Sequence, residues 1–129
     1  MKQVIIAILG SENSGRIEIM KYLSDKIGKG CKIVKLDNNC QDVIKNLRNN
    51  KQPVSILWNI NSLSEIKLLK NLGVHIWRLT KNTDYSSDIY KYDAWDLVLD
   101  NDEMKPESMN KWCYDEYRHI SPFEESPYK

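Results

Sequence analysis

A chain of 129 residues carries 19 Lys and Arg against 18 Asp and Glu, for a formal charge of +1. That length suits one domain with one core, and the nearly cancelled charge speaks against a dedicated nucleic-acid or membrane-surface binder, which would carry a basic excess. Cys31, Cys40 and Cys113 share no C-x-x-C spacing, so neither a disulfide framework nor a zinc site is expected, and no apolar run approaches the roughly 20 residues of a membrane span.

The run VIIAIL, residues 4–9, is continuously apolar and predicts a buried strand. It ends in Gly10, passes Ser11, Glu12, Asn13 and Ser14, meets Gly15 and enters a helix at Arg16. This is the strand, loop, helix layout of a phosphate-binding loop, G-x-x-x-x-G-K-[ST], whose glycines let backbone N–H groups wrap a phosphate at a helix N-terminus. The glycine separation matches. Arg16 stands where the lysine belongs and Ile17 where the magnesium-holding hydroxyl belongs. Arginine still offers a cation, though a bulkier and planar one; isoleucine ligates no metal. Residues 10–16 are the candidate phosphate-binding site, with Arg16 either a phosphate contact or a surface charge pairing with Glu12 or another carboxylate. A signal peptide would want a small-residue cleavage site at this point rather than a glycine loop, so the cytoplasm is the expected compartment.

Further along, Ile17, Met20, Leu23 and Ile27 recur at helical spacing until Gly28 and Gly30 close the helix. CKIVKL, residues 31–36, predicts a second strand, and residues 41–50 a short amphipathic helix through Val43, Ile44 and Leu47. Pro53 opens a third strand, residues 54–58. Ser62 and Glu65 have capping-box spacing, and Leu63, Ile66, Leu69 and Leu72 follow before Gly73 stops the helix. VHIWRL, residues 74–79, predicts a fourth strand, residues 80–93 a polar loop, and WDLVL, residues 95–99, a fifth strand. Pro106 suits a helix start, with Met109, Trp112, Cys113 and Tyr117 as its apolar face. Residues 121–129 form a tail with Pro122, Pro127 and no periodicity.

Strands alternating with helices predict one α/β domain over residues 1–120, a five-stranded parallel sheet between two helical layers. Strands one, three and five read as the buried ones. Ligands of such sheets sit outside the carboxyl ends of the strands, which places residues 10–16, 59–61, 78–81 and 100–102 along one edge. Asn59, Asn61, Arg78, Lys81 and Asn101 are therefore candidate nucleotide contacts, the amides offering both donor and acceptor. Asn59 and Asn61 also suit turn chemistry, and Arg78 and Lys81 a solvated rim. His75 and His119 lack partners at ligand spacing and read as structural. Trp58, Trp77, Trp95 and Trp112 read as core or rim, with an exposed aromatic interface as the alternative.

These residues resemble the P-loop nucleoside monophosphate kinases, and within them the small deoxynucleoside monophosphate kinases of bacteriophages and other viruses. The glycine loop carries the resemblance first. The stretch WNINSLSEIKLLKNLGVHIWRL, residues 58–79, is similar to the family's D-x-R-x-x-N-E, helix, G-G and strand; YDAWDLVLDND, residues 92–102, is similar to its late strand. The resemblance implies strand order 2-3-1-4-5 and ATP or another nucleotide as ligand. It also marks departures: Asn59 at the acidic position, Asn61 at the arginine position, Arg16 and Ile17 in the loop, and a shortened lid segment. Phosphoryl transfer rests on positioning and charge, so these losses point to a catalytically impaired, nucleotide- or protein-binding relative without a secure magnesium site. A small active monophosphate kinase completed by a partner chain, and a viral scaffold protein that ignores nucleotide, are the alternatives. A protein partner or a homo-oligomer fits each reading, and richness in Lys, Asn and Ile fits an AT-rich viral genome.

Overall fold

The computed structural model describes residues 3–10, 15–37, 39–60, 62–80, 95–100 and 105–121, with the side chains of Thr80 and Asp100 excepted. In chain order these residues form β1 (Val4–Leu9), α1 (Arg16–Ile27), a 3-10 turn (Gly28–Gly30), β2 (Cys31–Lys35), α2 (Cys40–Asn49), β3 (Val54–Trp58), α3 (Leu63–Asn71), β4 (His75–Thr80), β5 (Leu97–Asp100) and α4 (Pro106–Ile120). The strands make one five-stranded sheet in the order β2-β3-β1-β4-β5, with every neighbouring pair parallel. This is the three-layer α/β/α arrangement expected from the sequence, in the strand order that the family resemblance implies.

β1 lies in the middle, and all its residues are buried because both of its faces are covered. Successive side chains point to opposite faces. Val4, Ile6 and Ile8 join Ile19, Met20 and Leu23 of α1 and Met109, Cys113 and Tyr117 of α4. Ile5, Ala7 and Leu9 join Ile44 and Leu47 of α2 and Ile66 and Leu69 of α3. The Ser62–Glu65 box forms as the spacing predicts: the Ser62 hydroxyl accepts the Glu65 N–H at 3.2 Å and donates to Glu65 Oε1 at 3.2 Å. At the other end of α3, Gly73 takes φ +83, a left-handed conformation that glycine adopts without steric cost, and the Arg48 guanidinium donates to the Leu72 carbonyl.

Several expectations need correction. Ile17, assigned to the apolar face of α1, is 43% exposed. The buried stripe runs through Ile19, Met20 and Leu23, and in the first turn Ile17 projects off its edge. Trp112 is 58% exposed for the same reason: α4 turns Met109, Cys113 and Tyr117 inward at a spacing of four residues, and Trp112 lies a helical step away. β5 is an edge strand paired only with β4, not a fully buried one, and Val98 stands open on it. α2 starts at Cys40, one residue early. The loop expected at 80–93 lies, beyond Thr80, outside the described residues, as does the tail beyond Ser121. Among the described residues no helix is long and apolar enough to cross a membrane.

Candidate functional site

The site is built where β1 hands over to α1. Leu9 ends the central strand, Gly10 is buried behind it, and Gly15 precedes α1 with φ 86 and ψ 9. That left-handed conformation is why a glycine stands there, and it sets the first helical hydrogen bond, Ile19 N–H to the Gly15 carbonyl at 3.1 Å. Among the described residues no side chain caps the N-terminus of α1, so its first N–H groups have no side-chain acceptor there.

Arg16 turns back toward the loop. Its Nη1 donates to the Gly10 carbonyl at 2.7 Å, and its guanidinium carbon lies 5.7 Å from the centre of the Trp58 ring. Its Nε is buried and finds no hydrogen-bond partner among the described residues. Arg16 is half-buried and bonded to the loop; Glu12, the carboxylate weighed as its partner, lies outside the described residues. Ile17, at the position of the metal-binding hydroxyl, points to solvent.

The ends of β2 and β3 form the neighbouring rim. The Leu36 N–H donates to the Trp58 carbonyl at 3.0 Å, and Asn59, in a left-handed conformation with φ 71, donates from Nδ2 to the Leu36 carbonyl at 2.7 Å. Asn59 thus performs turn chemistry, as asparagine does where φ is positive. Lys35, the last residue of β2, places Nζ 5.4 Å from the Trp58 ring centre. Trp58 and Lys35 were not among the candidate residues. Alternation in β2 puts Cys31, Ile33 and Lys35 on one face, but only the β2–β3 register, Lys35 opposite Trp58, brings that cation to the indole.

Arg78 pairs in register with Leu9 and Val98 and lies 5.6 Å from the Trp95 ring centre. By strand parity it shares the face of Ile76, under α2 and α3, whereas Trp58 packs on the α1 face. The structure therefore gathers Gly10, Gly15 and Arg16 with Trp58 and Lys35, and sets Arg78 on the other side of the sheet. Ser11, Glu12, Asn13, Ser14, Asn61, Lys81 and Asn101 lie outside the described residues.

Among the described residues, Ile17 and Asn59 do not fit magnesium. Isoleucine offers no oxygen, and the Asn59 amide is engaged by its nitrogen on the Leu36 carbonyl. Among the described residues no three His, Cys, Asp or Glu side chains gather as a metal site would. The thiols are held protonated. Burial pushes Cys31 up to about 11, partly offset by a hydrogen bond from Ser24. Burial and then the Glu65 carboxylate push Cys40 to about 11, and burial with Glu116 pushes Cys113 to about 12. Thiolate is scarce at neutral pH in all three.

No protein-family model matches the sequence, and comparison with curated proteins gives no match. Solved structures do match in fold. An unliganded sugar kinase from Janibacter superposes with a TM-score of 0.66 at 11% identity, covering 94% of this chain and 97% of the other. The APS kinase of Mycobacterium tuberculosis superposes with a TM-score of 0.57 at 14% identity, covering 91% and 98%. A de novo designed P-loop fold gives 0.57 at 16% identity, covering 92% and 96%. This chain has the P-loop kinase-like fold.

Proposed function

We propose that this protein binds a nucleotide or a related phosphate compound at the turn between Gly10 and Arg16, and that it does not transfer the phosphoryl group. The observation that carries this reading is the position of Arg16. One of its nitrogens holds the Gly10 carbonyl at 2.7 Å, while its Nε is buried without an acceptor among the described residues. A buried donor left unsatisfied costs about 1–3 kcal/mol, and a phosphate oxygen supplies the acceptor with charge assistance. The N-terminus of α1, which no side chain of the described residues caps, adds a second source of N–H groups beside it.

Catalysis needs more than this cradle. Transfer through a loose transition state depends on a held metal, an acid to position it and cations around the equatorial oxygens. Ile17 and Asn59 supply neither hydroxyl nor carboxylate, and loss of even one stabilising group costs roughly a hundredfold or more in rate. The reading is thus a pseudoenzyme relative of the nucleotide kinases, a viral one on the composition. Trp112, 58% exposed on α4, favours a protein partner as the second reading.

Calorimetric titration with ATP and dATP, with and without magnesium, tests the proposal. The expected result is binding that does not depend on magnesium, that is lost in Arg16→Ala, and that is accompanied by no ADP formation with any nucleoside monophosphate. Turnover sensitive to Arg16→Ala would establish an active kinase instead. Absence of binding by the wild-type protein would remove the nucleotide reading and leave the partner.

A further inference from the structure

The outer face of α4 carries its charge unevenly. Lys111, Trp112, Asp115, Glu116 and His119 line one open hollow of about 390 Å³, and Trp112, 58% exposed, is the large apolar side chain in it. An indole left in water on a helix face is the kind of side chain that partners bury. The cation stands on the N-terminal side of the indole, and both carboxylates stand on its C-terminal side, one helical turn further along. These charges do not neutralise one another within the helix. Lys111 precedes Asp115 by four residues, the less favourable order for a helical ion pair, and among the described residues neither Lys111, Asp115 nor Glu116 makes one. A second α4 running antiparallel, with a two-fold axis at the level between Cys113 and Tyr114, sets Lys111 opposite Glu116, Trp112 opposite Asp115 and Ser108 opposite His119, in both directions at once, as an isologous contact requires. Each cation then meets the carboxylates of the other copy, and the two indoles flank the axis. A parallel pair would set Lys111 on Lys111 and carboxylates on carboxylates, which repel.

We propose that the outer face of α4, from Lys111 to His119 with Trp112 at its centre, docks antiparallel on the same face of a second copy of this chain. None of residues 10–16 lies in this face, so the proposal goes beyond the nucleotide reading and names the partner of Trp112. Lys111, Trp112 and Asp115 are exposed, so their replacement leaves the fold intact.

Sedimentation equilibrium over a range of protein concentrations tests this on the wild-type protein, Trp112→Ala, Lys111→Glu, and a variant combining Asp115→Lys with Glu116→Lys. The wild type is expected to dimerise reversibly, and Trp112→Ala to dimerise at least about tenfold more weakly. Each charge-reversed variant alone faces like charge across the axis and is expected to stay monomeric where the wild type is dimeric. Mixed in equal amounts, the two reversed variants are expected to recover the dimer, because each reversal then meets the opposite one. A wild-type protein that stays monomeric throughout overturns the proposal and leaves the face to a different protein. A dimer that none of the variants weakens, or reversed variants that fail to associate when mixed, overturns it as well, since the contact then lies elsewhere. Either failure leaves the ATP titration of the glycine turn untouched.

Discussion

Asp96 holds Ile76 by both polar groups of its main chain. The Asp96 N–H donates to the Ile76 carbonyl at 2.8 Å, and the Asp96 carboxylate accepts the Ile76 N–H at 2.7 Å while its other oxygen takes Lys70 Nζ at 2.7 Å. The side chain fixes where the chain re-enters the sheet before β5. Its loss in Asp96→Ala is expected to lower the unfolding free energy by about 1–3 kcal/mol, because the Ile76 N–H loses its acceptor. Lys70→Met, which removes only a partly exposed ion pair, is expected to cost under about 1 kcal/mol. Urea unfolding of the two variants checks the order.

Ser62→Ala removes the acceptor of the Glu65 N–H at the start of α3. An N-cap loss of this kind costs about 1 kcal/mol. A urea midpoint unchanged from the wild type would mean that the box does not stabilise α3.

The thiols set an alkaline limit. Each has a folded pKa raised above its ordinary value of 9.0, to about 11 for Cys31 and Cys40 and about 12 for Cys113. Below pH 9 the thiols are protonated in both states and the stability they contribute is fully present. As pH rises from 9 toward 11, the unfolded chain loses protons first, so stability falls. Urea midpoints are expected to be flat up to about pH 9 and to decline above it. At pH 8 the reaction of Cys31 and Cys40 with Ellman's reagent is expected to be about a hundredfold slower than in denaturant.

Ile17 is exposed, so Ile17→Thr is expected to change stability by no more than about 0.5 kcal/mol. Combined with Arg16→Lys it restores the lysine and hydroxyl of the phosphate-binding motif. The double variant is expected to bind ATP more tightly with magnesium than without, and the parent equally in both. Calorimetry with and without magnesium reads the difference.

The layers were legible because each strand and helix is announced locally: VIIAIL is apolar throughout, Ser62 and Glu65 stand at capping distance, and Gly73 marks the end of α3. The strand order came from the family resemblance, since periodicity carries no information on which strands become neighbours. What failed was the edge of each apolar stripe. Ile17 and Trp112 are apolar and nearly in phase, and only the packing of α1 against α4 decides which side of the stripe is covered. The glycine turn was legible from Gly10 and Gly15, but the indole beneath Arg16 was not. Arg16, Lys35 and Trp58 come from three elements, and no window of sequence holds them together.

The central place of β1 has a cost during synthesis. Both of its partners, β3 and β4, follow it in the chain, so VIIAIL leaves the ribosome with nothing to pair with until β3, Val54–Trp58, has been made, and its second edge stays open until β4 follows. Six apolar residues of high β-propensity, without charge or proline, are a template for wrong association in that interval. Yield in the cell is therefore expected to depend on chaperone supply and on temperature more steeply than the stability of the finished sheet suggests.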